Sequence, residues 1–199
     1  MKYLILDLRD NPGGLIDSAT AIMSMFMKGE TLIFSTKGIA NESKKEYFTS
    51  GNGEFSDLPL IVLVNKDSAS TSEILAGAVQ DHNRGLIIGC NTFGKGSVMK
   101  YVPLLNGAAS EWTVAYYYLP SGRPINRFSD NSLKNGITPD VEVKGESGLC
   151  VQEHHDKNQN AASVKNKHCR SEVSEEKEVE DIVLSKAIEI IKENKMLKR

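Results

Sequence analysis

The apolar positions of this chain fall into short groups with different spacings. Tyr3-Leu4-Ile5-Leu6 opens a run over 3–8 that stops at the turn residues Arg9-Asp10-Asn11-Pro12-Gly13-Gly14. After the turn, Leu15, Ala19, Ile22, Met23 and Phe26 share one face at helical spacing. That pattern is strand, tight turn, helix. A second strand is expected at 31–36, followed by polar loop to about residue 57. Leu60-Ile61-Val62-Leu63-Val64 is apolar at every position, as in a strand covered on both faces. Ile74, Leu75, Ala78 and Val79 return to helical spacing. Leu86-Ile87-Ile88-Gly89 is a further short strand, and Trp112 to Tyr118, rich in aromatic and β-branched residues, is another. Strands alternating with helices predict an α/β fold with a largely parallel sheet.

From about Lys144 the composition turns to Ser, Asn, Gln, Lys and Glu. So few large apolar side chains cannot offset the entropy of ordering, and 144–178 is expected to be a flexible linker. Ile182, Val183, Ala187, Ile188, Ile190 and Ile191 then make an amphipathic C-terminal helix within 179–199. The division expected is a core over 1–143, the linker, and the helix.

A chain of 199 residues, 40% hydrophobic, can bury one substantial core. Its 24 basic and 26 acidic residues leave a net charge of -2, so no general field draws it to nucleic acid or anionic lipid. Cys90, Cys150 and Cys169 are odd in number, widely spaced and outside any CxxC pattern, which excludes a disulfide framework and leaves a single Cys150–Cys169 bridge as the open alternative. No apolar run approaches the roughly 18 residues of a membrane span, and the first residues do not read as a signal peptide. The chain opens straight into a strand, as a fragment of something longer would. Taken as complete it would be cytoplasmic.

Three segments carry candidate chemistry. Asp67-Ser68-Ala69-Ser70-Thr71-Ser72-Glu73 lies between a buried strand and a helix. There a serine hydroxyl can be exposed while unpaired helix N–H groups face developing negative charge; the same letters also read as an ordinary N-cap. Thr92-Phe93-Gly94-Lys95-Gly96-Ser97 sets a lysine between two glycines after a strand, either aimed inward or solvated in a loop. It is not a phosphate loop, because the upstream glycine and the hydroxyl directly after the lysine are missing. Asp10-Asn11-Pro12-Gly13-Gly14 offers free N–H groups at a helix start, or is simply a turn.

In combination these segments resemble the carboxyl-terminal processing (tail-specific) proteases. The resemblance runs from Leu6-Asp7-Leu8-Arg9-Asp10-Asn11-Pro12-Gly13-Gly14 through the Ser70 and Lys95 segments to Tyr117-Tyr118-Leu119-Pro120-Ser121-Gly122-Arg123 and Gly136-Ile137-Thr138-Pro139-Asp140-Val141, about residues 3 to 143. It implies an α/β core of the crotonase/Clp-protease kind, with Ser70 as nucleophile and Lys95 as general base. It further implies an oxyanion hole from the backbone N–H groups of Gly13, Gly14 and Thr71. No metal or cofactor is implied. The implied partners are protein or peptide substrates with free C-termini, with oligomers open, and the implied setting is the periplasm or cell envelope.

A serine is a poor nucleophile until a base takes its proton, and a lysine can be that base only when neutral. Burial away from water and carboxylates would supply that state, with Phe93 and the preceding apolar strand as the expected desolvating neighbours. The histidines do not form a Ser-His-Asp triad: His82 stands alone near a helix end, and His154, His155 and His168 fall in the linker.

The chain departs from the family at several points. Met99 stands where the family has a lysine-orienting glutamine, and Asp67 replaces the usual glycine before Ser-Ala-Ser, where an inward carboxylate would oppose an oxyanion. The PDZ domain and the elements that normally precede the Asn-Pro-Gly-Gly turn do not precede it here. The rival readings are a weak or inactive homologue acting as a binding scaffold, a crotonase-like acyl-CoA enzyme, and a zinc site from Cys150, His154, His155, His168 and Cys169, whose spacing matches no standard zinc pattern.

Overall fold

The structure, a computed structural model, describes residues 1–38, 44–126, 136–144 and 181–193. In chain order its elements are β1 (Leu4–Asp7), α1 (Ile16–Phe26), β2 (Leu32–Gly38), β3 (Lys45–Phe48), β4 (Leu60–Val64), α2 (Thr71–Asp81), β5 (Leu86–Gly89), β6 (Ser97–Pro103), β7 (Ala109–Tyr118), β8 (Val141–Glu142) and α3 (Ile182–Lys192). Residues 145–180, which contain nearly all of the expected linker, lie outside the described residues.

One four-stranded sheet, β1-β4-β5-β8, is parallel throughout, with Leu4 beside Leu60, Ile61 beside Leu86 and Ile88 beside Val141. The expectation of a largely parallel sheet holds for this half alone. A second sheet, β3-β2-β7-β6, is antiparallel. Its outer strands are the ones the residue pattern does not announce: β3 lies inside the stretch expected to be loop, and β6 precedes the expected strand. Both are edge strands, mostly exposed, and edges tolerate the charges and broken alternation that hide a strand from pattern reading.

β4 explains its own sequence. Leu60, Val62 and Val64 face a core that includes Met23 and Phe26 of α1, Ile74 and Val79 of α2, and Ile33 and Phe34 of β2. Ile61 and Leu63 face the other side, where Val183, Ala187 and Ile190 of α3 cover them together with Ile88 and Val143. With side chains alternating across the sheet, a strand packed on both faces must be apolar at every position. Phe34 stacks on Tyr47 with ring centroids 4.2 Å apart and meets Tyr117 edge-on at 5.6 Å, joining three strands of the second sheet to this core.

α3 is held at its first turn. Asp181 caps the helix through the Leu184 N–H at 2.7 Å and receives the Arg9 guanidinium on both oxygens, at 3.0 and 2.8 Å. Arg9 also pairs with Asp7 at 2.6 Å, so the residue just after β1 ties strand and helix together.

Cys90 is buried at the end of β5 with its sulfur 3.5 Å from the Val143 carbonyl oxygen, and it is disulfide-bonded. Cys150 and Cys169, whose bridge the sequence left open, lie outside the described residues.

Parallel pairing brings the C-terminal ends of β1, β4 and β5 to one rim. The turns that follow them are the three segments singled out in the sequence, at the rim where open α/β sheets commonly hold their ligands.

Candidate active site

The turns after β1 and β4 are sewn together by two buried polar residues, Asn65 and Ser68. The Ser68 hydroxyl donates to the Leu8 carbonyl at 2.7 Å and accepts the Asn65 N–H at 3.0 Å. The Asn65 side chain accepts the Asp10 N–H at 3.0 Å and donates to the Asp10 carboxylate at 2.8 Å. The Ala69 N–H donates to the Asn11 carbonyl at 3.0 Å. Sequence reading gave Asn65 no role, because a lone asparagine at a strand end looks like any turn residue.

This frame holds Ser70 at φ 58, ψ -119. Positive φ is uncommon outside glycine and costs on the order of 1–3 kcal/mol when the surroundings impose it. Ser70 is also the N-cap of α2 and forms a capping box with Glu73. Capping and exposure at a strand-to-helix corner thus describe one residue, and capping alone does not call for the positive φ.

Glu73 is fully buried and accepts four hydrogen bonds from two turns. Its Oε1 accepts from the Thr92 hydroxyl and the Gly94 N–H, each at 2.6 Å. Its Oε2 accepts from the Lys95 N–H at 2.8 Å and the Ser70 N–H at 2.9 Å. Burial pushes the carboxyl above its ordinary pKa, and the four donors pull the other way. Thr92 in turn accepts the Ile137 N–H at 2.7 Å, and the Phe93 N–H donates to the Ser68 carbonyl at 3.0 Å. Sequence reading saw Glu73 only as part of a cap and motif, and Thr92 only as a flank of the lysine.

Lys95 sits between Gly94, at φ +86, and Gly96, where an added Cβ would lie 2.5 Å from the Asn126 nitrogen. The loop needs both glycines, one for its turn and one for close approach. The side chain corrects an expectation: Lys95 is exposed, and Phe93, the expected desolvating neighbour, is itself 45% exposed. Glycine flanks let the loop turn the Phe93 ring outward, so the described residues do not dry the amine. Among the described residues no hydrogen bond or ion pair holds the Lys95 amine.

The Gly13-Gly14 turn packs directly on the Ser70 corner. Gly13 has φ +92, and a Cβ there would fall 2.7 Å from the Ala69 carbonyl oxygen and 2.8 Å from the Thr71 nitrogen. Its N–H donates to Asn11 Oδ1 at 2.9 Å, and the Gly14 N–H donates to the Thr71 hydroxyl at 2.7 Å. Asp67 points away, its side chain 55% exposed beside Lys66. Met99, on β6, receives a hydrogen bond from the Thr113 hydroxyl on its sulfur at 3.2 Å. His82 bonds the Leu32 carbonyl at 2.7 Å beyond the end of α2, a structural contact. His154, His155 and His168 lie outside the described residues, and among the described residues no three metal-ligating side chains converge.

The sequence matches the description Peptidase family S41 over residues 1–143. It is 46% identical over 146 residues to the carboxy-terminal-processing protease of Bartonella bacilliformis, covering 72% of this chain and 31% of that protein. It is 41% identical over 145 residues to the chloroplastic C-terminal processing peptidase of Tetradesmus obliquus, covering 72% and 29%. The solved photosystem II D1 C-terminal processing protease superposes with a TM-score of 0.62 at 37% identity, over 72% of this chain and 35% of that one. A lipoprotein from Streptococcus agalactiae, at 20% identity and a TM-score of 0.56, shares the fold. The chain thus spans about a third of the length of these processing proteases. With the Ser70, Lys95 and glycine turns meeting at one rim within the matched region, the chain belongs to Peptidase family S41, the family of the carboxyl-terminal processing proteases.

Proposed function

We propose that this chain carries the catalytic core of a serine endopeptidase that cuts proteins near their C-termini, with Ser70 as nucleophile and Lys95 as general base. The observation that carries the reading is that one buried carboxylate oxygen, Glu73 Oε2, accepts from the backbone of both residues. In the reaction the neutral Lys95 amine takes the Ser70 hydroxyl proton as Oγ adds to the scissile carbonyl. The Thr71 N–H and the Gly13-Gly14 turn receive the oxyanion, as preorganised donors do at developing charge. Collapse expels the amine with the proton from Lys95 and leaves an acyl-enzyme. A water deprotonated by Lys95 then releases the acid. No step needs a cofactor or metal.

Because Lys95 is exposed, we assign its drying to what docks over it, a peptide substrate or another part of the protein. Asp67, facing solvent, leaves the oxyanion unopposed. The core is taken as crotonase/Clp-protease-like on the strength of the parallel β1-β4-β5-β8 order with a glycine turn after β1. Protein substrates with free C-termini and a periplasmic or cell-envelope setting belong to the same proposal; among the described residues no helix is long and apolar enough to cross a membrane.

The test is peptide hydrolysis and fluorophosphonate labelling of the wild type, Ser70→Ala and Lys95→Ala. Each substitution should abolish cleavage with the fold intact, because nucleophile and base act as one unit. Full activity in Lys95→Ala would discard the base. A second reading, a binding scaffold that has kept the fold, is favoured by the exposed Lys95 and by Met99; a wild type that neither cleaves nor labels would select it.

A further inference from the structure

The Gly14 N–H, a donor assigned to the oxyanion hole, already has an acceptor: the Thr71 hydroxyl oxygen at 2.7 Å. The contact is built in rather than incidental. Gly13 lies so close to the Ser70 corner that an added Cβ would be 2.8 Å from the Thr71 nitrogen and 2.9 Å from its hydroxyl oxygen. Thr71 is 6% exposed, whereas Gly14 faces solvent with open space around it. The occupied donor therefore stands at the open mouth of the site, and the hydroxyl lies next to the N–H that would serve as the second donor.

We propose that Thr71 Oγ1 stands in for the substrate oxygen, occupying the Gly14 N–H in the resting chain and yielding it to the scissile carbonyl. This rests on Ser70 being the nucleophile and the glycine turn the oxyanion hole. Thr71 then acts twice, through its backbone N–H as a donor and through its side chain as a gate on the neighbouring donor. The exchange is selective. A neutral carbonyl replaces one neutral acceptor with another and gains little, whereas the oxyanion accepts a charge-assisted bond roughly twice as strong. The gate itself takes the same neutral hydrogen bond from bound substrate and from transition state, so it raises KM and leaves kcat nearly unchanged. The release needs no backbone movement, because threonine in a helix divides between two χ1 wells.

The test is the inhibition constant of a peptide boronate, whose adduct with a serine carries a tetrahedral oxygen, measured on the full chain alongside thermal melting. Thr71→Val keeps the shape and removes the acceptor. It should lower the inhibition constant and the KM about fivefold with little change in kcat, since one net hydrogen bond no longer has to be given up, and it should also lower the Tm. Thr71→Ser, which restores the oxygen, should reverse the gain. If Thr71→Val does not melt cooperatively, Thr71→Ala removes the same oxygen without a second methyl to pack. An unchanged or weaker boronate affinity in the hydroxyl-free variant overturns the gate, leaving Thr71 a brace for the turn. A boronate that binds neither form, together with a wild type that fluorophosphonate does not label at Ser70, overturns the oxyanion-hole assignment itself and the gate with it.

Discussion

Glu73 Oε2 lies 2.8 Å from the Lys95 nitrogen, so the loop that carries the lysine hangs from the first turn of the helix that Ser70 caps. Glu73→Gln keeps the size of the side chain but gives its four donors only one acceptor oxygen and faces the others with an NH2 group. Loosening the two turns by about 1 Å costs on the order of a hundredfold in rate. Glu73→Gln should lower kcat by about that factor with KM little changed, and should slow fluorophosphonate labelling of Ser70 in parallel. A fall in Tm with unchanged kcat would make Glu73 a fold residue alone.

The same carboxyl predicts a pH dependence whose sign follows from its environment. Burial holds its folded-state pKa above the ordinary 4.5. Between that value and the folded one, the native chain binds a proton that the unfolded chain has released. Its contribution to stability is therefore fully present below 4.5 and is lost as the pH rises through the folded pKa. The stability of wild type relative to Glu73→Gln, followed by urea unfolding, should fall as the pH rises through this window. Activity should run the other way, because a protonated Glu73 gives up an acceptor that Ser70, Thr92, Gly94 and Lys95 need. A difference that does not vary with pH would contradict the assignment.

Met99 should limit the rate. Its sulfur is already engaged by the Thr113 hydroxyl, and a thioether is a weak acceptor that cannot orient an amine as an amide oxygen does. The family resemblance implies that a glutamine at this position orients the lysine base. Met99→Gln should raise kcat about tenfold, a fraction of the roughly 10²- to 10⁴-fold that a positioned acid–base group contributes, with KM little changed. The kinetics of one peptide with a free C-terminus decide it, and an unchanged kcat would show that Lys95 is held without residue 99.

Asp181→Ala removes both the cap of α3 and one of the two carboxylate partners of Arg9. Loss of such a cap costs about 1 kcal/mol, and the Arg9 guanidinium, only 11% exposed, keeps Asp7 but loses its two bonds to Asp181, which adds to it. A loss of about 1–3 kcal/mol in denaturant unfolding is expected, with peptide cleavage less affected than stability because α3 packs on the face of β4 opposite α1 and α2. A loss below 0.5 kcal/mol would make the clamp a surface ion pair of little weight.

The sequence was legible where a single physical demand fixes every letter. The run Leu60 to Val64 can only be a strand buried on both faces, and the glycines around Lys95 mark a loop that must turn and touch. It was less legible where residues answer to two demands. β3 and β6 are edge strands whose exposed residues carry no alternation to read. Glu73 reads as half of a capping box, which it is; its bonds to Gly94 and Lys95 join residues over twenty positions away, and no local pattern announces them. The drying of Lys95 was expected from what a lysine base requires, yet Phe93 turns outward, because a chemical requirement does not say which part of a protein meets it. That Thr71 reaches Gly14 depends on how two turns pack, beyond the reach of spacing.

The backbone at Ser70, φ 58 and ψ -119, matches the first corner of a type II′ turn, a position that glycine fills without strain. Ser70→Gly should therefore fold more stably than Ser70→Ala, and more stably than the wild type by up to the roughly 1–3 kcal/mol held in that corner. Selection for stability alone would drive the position toward glycine. On the proposal that Ser70 is the nucleophile, the serine persists against that gradient because its hydroxyl is used in catalysis beyond its part in the capping box, so the residue at position 70 in related chains reports on whether each still acts as an enzyme.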